Sequence, residues 1–272
     1  MNKQNKSITR VSKILIFAVF MFGISALNTF GQGNPYINPC VVGTYINQQQ
    51  VDANAEKCIP AKQSLNSAAP IVIGKSPDDT EMKYWLYLVT HSAKYGSKFN
   101  EGLKLSDAVN FLKDQFSASS LTEERAKIIN RAYQEVYGRD SKATEQASWE
   151  TQIKAQTAWY ATIVTSEIQK LNQDQTERNA MLNRAYQKSM GRDANETDLK
   201  YWLPRTEHYR QIVDATRSWL YSEKGTKDLV ETISRALLKK KGGNRATDES
   251  IKSAMTKFTP DKKIYAEMIQ GF

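Results

Sequence analysis

The chain has 272 residues, of which 25% are charged and 40% are hydrophobic, and its formal net charge is +9. This excess lies at the two ends: four basic residues fall within residues 1–31, and residues 224–272 hold 11 basic and 6 acidic ones, so residues 32–223 carry 23 of each. A protein that coats nucleic acid would not be neutral over two-thirds of its length, which excludes that class.

Residues 1–31 have the layout of a secretory signal peptide. An apolar run over residues 14–27 is followed by small residues, and we expect cleavage after Gly31. The run is too short to span a bilayer comfortably, although a retained anchor is the alternative. The mature chain is therefore expected to lack a transmembrane span and to lie in the periplasm or on the outer surface of a Gram-negative-type bacterium. The basic residues ahead of the run are Lys3, Lys6, Arg10 and Lys13.

The mature N-terminus, residues 32–63, is rich in Asn, Gln, Pro and Gly and has no helical period, which predicts an irregular strap. It holds both cysteines of the chain, Cys40 and Cys58. In an exported protein such a pair indicates one disulfide, with two free thiols as the alternative. Two cysteines and two separated histidines, His91 and His208, do not make a structural zinc site, so neither a metal nor a cofactor is predicted.

The rest of the chain is a sequence repeat. Residues 130–134 (Asn-Arg-Ala-Tyr-Gln) recur 53 positions later as residues 183–187. A constant offset without a gap indicates one duplicated supersecondary unit, and such repeats build binding or scaffolding surfaces more often than catalytic centres. A Gly and a basic residue also precede a tryptophan by eleven positions three times, at Gly74-Lys75 and Trp85, Gly138-Arg139 and Trp149, and Gly191-Arg192 and Trp202.

Each unit is predicted to contain three helices. In the first helix, Ile129, Ala132, Tyr133 and Val136 fall at i, i+3, i+4 and i+7, which is one buried helical face. The helices that precede Gly138 and Gly191 are expected to end at these glycines, because a C-cap needs a residue that tolerates positive φ. A second helix carries the tryptophan and a third closes the unit. The predicted fold is all-α: three to four tandem three-helix repeats of about 53 residues, packed as one helical array.

We number the predicted units as segments 1 to 4, which span residues 64–120, 121–173, 174–226 and 227–272. Segment 1 departs from the pattern, because Pro70 opposes a regular helix interior and residues 91–104 are an insertion. Segment 4 is degenerate and basic: Gly242 matches the capping glycine, but Ser253 replaces the tryptophan. Imperfect terminal copies are typical of the capped ends of a stacked array.

The string from Gly191-Arg192-Asp193 to Tyr201-Trp202, followed by a helix that closes at Ser222-Glu223, resembles domain-of-unknown-function family 4214. The two central copies lack the Pro-Asp pair that follows Gly-Arg in that family. The resemblance implies a helical fold and an exported or surface-associated protein, and it implies no established activity. From best to weakest, the match covers residues 182–223, 129–167, 65–119 and the C-terminal copy.

The aromatic residues of the repeat are predicted to be structural. A tryptophan at a fixed distance from a capping glycine is a core anchor, and its indole N–H needs a fixed partner. Arg139 and Arg192 are expected to satisfy helix C-terminal carbonyls or a neighbouring carboxylate. The predicted core residues are Trp85, Trp149, Trp202, Tyr133 and Tyr186.

Two places are candidate ligand-binding surfaces. Tyr95 and Phe99 lie in the insertion, and aromatic residues on an extra loop of a rigid scaffold favour binding, with a neutral insertion as the alternative. The second place is the basic cluster of Lys239, Lys240 and Lys241, for which the alternative is an ordinary solvated helix end.

No catalytic residue is predicted, since the sequence contains no Gly-x-Ser-x-Gly, HExxH or phosphate-loop motif. The leading hypothesis is a non-catalytic, exported structural or adaptor protein that binds another cell-envelope protein or a surface polysaccharide. One alternative is binding of an anionic polymer through the basic segment 4. Another is an envelope hydrolase whose acidic residues the sequence does not single out.

Overall fold

The computed structural model describes residues 48–222, 224–240 and 247–270. These residues form helices joined by short turns, and no strand occurs among them. The all-α prediction is confirmed. The helices in chain order are α1 (Gln48–Ile73), α2 (Asp79–His91), α3 (Gly96–Asn100), α4 (Leu105–Ser117), α5 (Thr122–Tyr137), α6 (Ala143–Lys154), α7 (Tyr160–Gln173), α8 (Gln175–Met190), α9 (Glu196–Trp202), α10 (Tyr209–Leu220), α11 (Gly225–Lys240), α12 (Asp248–Phe258) and α13 (Tyr265–Gln270).

Helix α1 contradicts two predictions for the N-terminal part of the chain. Residues 48–63 are helical rather than irregular, and α1 continues through both Pro60 and Pro70. A proline inside a helix costs about 3 kcal/mol. Tertiary packing offsets that cost, because α1 lies along α4 and buries an apolar face in the core. The buried residues of this face are Ala61, Leu65, Ala68, Ala69 and Val72.

Corresponding helices of the four segments make corresponding contacts. The first helix of each segment packs along its closing helix, in the pairs α1–α4, α5–α7, α8–α10 and α11–α13. Each closing helix after the first also contacts the first helix of the preceding segment, so that α7 lies on α1, α10 on α5 and α13 on α8. Every segment is thus joined to the next through its first helix.

The glycine that ends each first helix is part of this junction. Gly138 and Gly191 are C-caps in the left-handed region, with φ of 69° and 70°. A Cβ at Gly138 would overlap the ring of Tyr209, and a Cβ at Gly191 would overlap the ring of Tyr265. Glycine is therefore required twice over, by the positive φ and by the tyrosine of the next segment's closing helix.

Several predictions lie wholly or partly outside the described residues. These are the signal peptide, the strap over residues 32–47, and Lys241 and Gly242 of the basic cluster. Of the predicted disulfide, Cys58 is buried at the start of the core, whereas Cys40 is not described. The pairing of the two cysteines stays a prediction.

Candidate functional site

The three tryptophans of the repeat lie in the core. The indole Nε1 of Trp149 donates to the Tyr133 hydroxyl at 3.3 Å, and that of Trp202 donates to the Tyr186 hydroxyl at 2.9 Å. The indole nitrogens of Trp149 and Trp202 therefore have internal partners, and both partner tyrosines are buried. Trp85 packs edge-on against Phe116. These side chains support the fold and are not accessible to a ligand.

A buried carboxylate, Glu167, lies beside Trp149. It is 2% exposed and accepts hydrogen bonds from Trp149 Nε1 at 3.1 Å, from the Tyr137 hydroxyl at 2.9 Å and from Lys170 Nζ at 2.6 Å. Burial raises the pKa of the Tyr137 hydroxyl, and the charge of Glu167 raises it further, which keeps Tyr137 a neutral donor. Glu167 was not among the predicted core residues, although it lies one helical turn after Ile163 and therefore on the same buried face.

Two buried arginines, Arg125 and Arg178, stand at the same position of segments 2 and 3. Arg125 is fully buried and donates to the Phe116 carbonyl at 3.2 Å and to Glu150 at 3.2 Å. Arg178 donates to the Trp202 carbonyl at 3.1 Å. Each guanidinium thus satisfies turn carbonyls that a helix ladder leaves unpaired. The sequence analysis did not single out either arginine, although they are 53 residues apart and so occupy equivalent repeat positions.

The basic residue after each capping glycine binds an acid six positions later. Arg139 pairs with Glu145 through two hydrogen bonds of 2.9 Å, and Arg192 pairs with Asp198 at 2.6 Å. The pair Lys75 and Glu81 does the same in segment 1. Arg139 and Arg192 were expected to satisfy helix C-terminal carbonyls or a neighbouring carboxylate, and in the structure each pairs with a carboxylate.

The same arginines reach the following segment. Arg139 Nε lies 3.3 Å from Glu177, which also accepts from Arg184 at 2.6 Å. Arg184 Nε in turn donates to the Tyr137 carbonyl at 2.7 Å. One junction therefore contains two guanidinium groups around one carboxylate, and all three groups are engaged in packing segment 3 on segment 2.

The prediction that Tyr95 and Phe99 are exposed loop aromatics is wrong. They are 2% and 3% exposed, because residues 96–100 form helix α3, which packs against α1 and α2. The Tyr95 ring meets Phe111 edge-on at 5.5 Å, and its hydroxyl donates to Asp114 at 2.7 Å. Neither ring is available to a ligand.

The outer side of the insertion borders a shallow depression of about 350 Å³. Its charged walls include an ion pair between Lys98 and Asp107, whose Nζ and Oδ1 atoms are 2.5 Å apart. Charges of both signs line it, and no aromatic ring does. The lining residues are Lys98, Glu101, Gly102, Lys104, Ser106 and Asp107.

The large aromatic residues that are exposed in the described part of the chain lie elsewhere, at Tyr84, Tyr201 and Trp219. Tyr84 and Tyr201 are each 53% exposed, and each directly precedes the buried tryptophan of its segment. Segment 2 has the exposed Ser148 at this position. The guanidinium of Arg205 lies over the Tyr201 ring at 4.1 Å from its centroid. The position directly before the repeated tryptophan aligned these two tyrosines in the sequence, but their exposure required the structure.

At the basic end, Lys239 is exposed in the last turn of α11. The side chain of Lys240 and all of Lys241 lie outside the described residues. A cleft of about 120 Å³ opens next to Lys239, between α8 and α11. Its lining residues are Met190, Gly191, Arg192, Thr232, Arg235, Ala236, Lys239 and Tyr265.

Neither a metal-binding cluster nor a membrane-spanning helix occurs among the described residues. Within residues 48–222, 224–240 and 247–270, no group of three or more His, Cys, Asp or Glu side chains is placed to hold a metal ion. None of the helices in those ranges is both long and apolar enough to cross a bilayer.

Comparison of the chain with protein-family models, with curated proteins and with solved structures found no match. The resemblance to domain-of-unknown-function family 4214 rests on the repeated motif residues alone and stays a prediction.

Proposed function

We propose that this protein is a non-catalytic scaffold of four stacked three-helix units that binds another macromolecule of the cell envelope. The contacts between helices support the stacked arrangement, because each closing helix lies on the first helix of the preceding segment. The glycine–tyrosine contact recurs at three junctions, at Gly74, Gly138 and Gly191. A repeated junction of one kind is what a linear array of units requires.

The internal polar groups support a structural role. The side chains of Arg125, Arg178 and Glu167 are buried, and each one bonds to a backbone carbonyl or to a neighbouring side chain. A buried charge is stable only when it is hydrogen-bonded or paired, and these three groups are hydrogen-bonded to the helices that surround them. These groups serve the stability of the units.

The observation that carries the binding role is the pair of exposed tyrosines, Tyr84 and Tyr201, at one repeat position. Tyrosine and arginine are enriched at protein interfaces, where a rigid amphipathic ring supplies contact area at low entropic cost. Arg205, stacked on Tyr201, adds a second such group to that surface. The second helices of segments 1 and 3 thus each present one tyrosine to solvent, and a protein partner suits these rings best.

The location is part of the proposal. The signal-peptide layout of residues 1–31 and the predicted Cys40–Cys58 disulfide both suit export into an oxidising compartment. We place the protein in the periplasm or on the outer cell surface, as a relative of domain-of-unknown-function family 4214.

A binding experiment on the native envelope tests the role of the tyrosines. Segment 2 already carries Ser148 at their position, so Tyr84→Ser and Tyr201→Ser should leave the unfolding free energy within about 0.5 kcal/mol of the unmodified chain. The double variant should lose retained envelope proteins, measured by quantitative mass spectrometry, with each interface tyrosine contributing about 1 kcal/mol or more to binding.

The matched control is Ser148→Ala, which should retain the same proteins as the unmodified chain. Purified surface polysaccharide forms a second arm: if it binds the unmodified chain and not the double variant, the partner is a glycan. Equal retention of every component by the double variant and the unmodified chain would show that the tyrosine surface is not the binding site.

A further inference from the structure

The junction between segments 3 and 4 differs from the junction before it. In segment 3, Arg184 reaches back to the Tyr137 carbonyl and to Glu177, so its guanidinium occupies the space beside the preceding helix cap. Arg131 does the same at the first junction, where it donates to the Ile73 carbonyl. In both cases an arginine of the later segment closes the junction.

In segment 4 the residue at this position is Arg235, and the position of Glu177 is taken by Asp228. Asp228 pairs with Arg192 at 3.3 Å, and its side chain is one methylene shorter than that of Glu177. Arg235 instead pairs with Glu231 of its own helix at 3.5 Å, and its side chain is 69% exposed. Because the guanidinium does not enter the junction, the space beside Gly191 stays open as the 120 Å³ cleft.

The charged side chains that line this cleft are all basic: Arg192, Arg235 and Lys239. Arg192 is neutralised by Asp198 and Asp228, neither of which lines the cleft. Arg235 has one exposed partner at 3.5 Å, a weak pair, and Lys239 has no ion pair within the part of the chain that the structure describes. The sequence adds three more cations directly afterwards, at Lys240, Lys241 and Arg245.

Two of the three basic residues of the cleft have a structural explanation, because they stand at helix C-termini. Cations stabilise a helix C-terminus, and both Arg192 and Lys239 stand at such an end. Arg235 lies more than one turn before the end of α11, so this effect does not account for it. Thr232 and Tyr265 also line the cleft, which adds a hydroxyl-bearing and an aromatic residue to the basic ones.

We propose that this cleft binds an oxyanion, a phosphate or carboxylate group carried on an envelope molecule. Its volume equals that of about four water molecules at ~30 Å³ each, which admits one such group. Arg235 supplies a planar fork for two oxygens, and Lys239 supplies a point charge. The site rests on the cleft alone and is independent of the tyrosine surface.

The experiment is a titration of the full chain, labelled with ¹⁵N, with inorganic phosphate and separately with acetate. We expect saturable shifts of the amide signals of Gly191 and Thr232. Arg235→Gln should weaken binding about tenfold, the effect of one charge-assisted hydrogen bond, and Lys239→Gln should weaken it several-fold. Stronger binding of phosphate would assign the site to phosphorylated molecules, and stronger binding of acetate would assign it to carboxylated ones.

Lys83→Gln is the control, because Lys83 is an exposed cation of segment 1 whose loss changes the net charge equally. It should leave both affinities within about twofold, since an exposed distant charge is screened by salt. The proposal is overturned if neither anion gives saturable shifts at these amides, or if Lys83→Gln weakens binding as much as Arg235→Gln does. The spectra themselves show whether each variant is folded.

Discussion

Segments 2 and 3 each place a tryptophan at the same position and satisfy its indole nitrogen in different ways. Trp149 Nε1 lies between the Tyr133 hydroxyl at 3.3 Å and Glu167 at 3.1 Å. Trp202 Nε1 donates to the Tyr186 hydroxyl at 2.9 Å. The tyrosine partner is common to both segments, whereas among the described residues a carboxylate accepts from the indole of Trp149 and not from that of Trp202.

Segment 3 has different residues at the positions of Glu167 and of its donor Tyr137 in segment 2. Glu167 stands eight residues after the N-cap of α7, and Thr216 stands eight residues after the N-cap of α10. The Thr216 hydroxyl donates within its own helix, to the Ile212 carbonyl at 2.8 Å and the Val213 carbonyl at 2.9 Å. Where Tyr137 donates to Glu167, segment 3 has the buried, apolar Met190.

The comparison separates what the unit requires from what one copy adds. The tryptophan–tyrosine bond and the apolar frame occur in both segments, so the fold needs them. The buried carboxylate is tolerated only together with its donors, because an unpaired charge in the core costs more than the pair contributes. The residues of such a buried polar network are therefore expected to differ together between segments rather than singly.

The largest effect is expected from removing the tryptophans. Trp149→Ala and Trp202→Ala should each lower the unfolding free energy by about 3–5 kcal/mol, the range for large buried aromatics. Trp149→Ala should cost about 1 kcal/mol more, because Glu167 then loses a donor in the core. Urea denaturation of both variants measures the difference. If Trp202→Ala is the more damaging, the polar network adds nothing to segment 2.

A swap of the polar set gives the next effect in size. Glu167→Thr should lower the unfolding free energy by about 1–3 kcal/mol, since the Tyr137 hydroxyl and Trp149 Nε1 lose an acceptor. Adding Tyr137→Met reproduces the set of segment 3 and should recover part of that loss, with a coupling energy of about 0.5–3 kcal/mol. Strictly additive effects in the double-mutant cycle would contradict the view that the two residues act together.

The smallest effect concerns acid stability. Burial by itself raises the pKa of the Glu145 carboxyl, but the hydrogen bonds from Arg139 and from the Lys142 amide outweigh it, so this pKa lies below its ordinary 4.5. A lowered folded-state pKa contributes stability above the unfolded value, and this contribution is lost as pH falls through the folded value.

Glu145→Gln should therefore cost about 1 kcal/mol at pH 7. The cost should shrink as the pH falls through the lowered folded-state pKa, where the carboxylate of the unmodified chain becomes protonated. Denaturation at several pH values measures this. Asp198→Asn is the control from segment 3, where the corresponding acid makes a single bond to Arg192 rather than two; it should cost less at pH 7. A cost for Glu145→Gln that does not change with pH would show that its charge is not what stabilises the junction.

Local features of the chain were predictable without the structure. The end of a first helix at Gly138 follows from the residue's tolerance of positive φ, which a sequence shows directly. Asn195 is the N-cap of α9 and forms a capping box with Asp198, a spacing that a sequence also shows directly. The 53-residue offset also predicted that Trp149 and Trp202 are equivalent, because the offset is visible in the order of residues alone.

Other features depended on which surfaces meet. Propensity argued against helix over residues 48–63, and the contact between α1 and α4 overrides it. Tyr95 is a loop aromatic by sequence and a core residue in the structure, since α3 folds the insertion back onto α1 and α2. The candidate binding residues changed for the same reason: exposure, unlike helical period, is a property of the packed chain.

The order of residues predicted that this protein is helical, that the helices before Gly138 and Gly191 end at those glycines, and that the repeated tryptophans lie in the core. Helical period and capping act over a few neighbouring residues, so a sequence displays them directly. Packing of the helices accounts for three further features: Glu167 is buried, Tyr84 and Tyr201 are exposed, and Arg235 leaves a cleft open. Burial and pairing depend on side chains from distant helices, and their contact energies outweigh local preference.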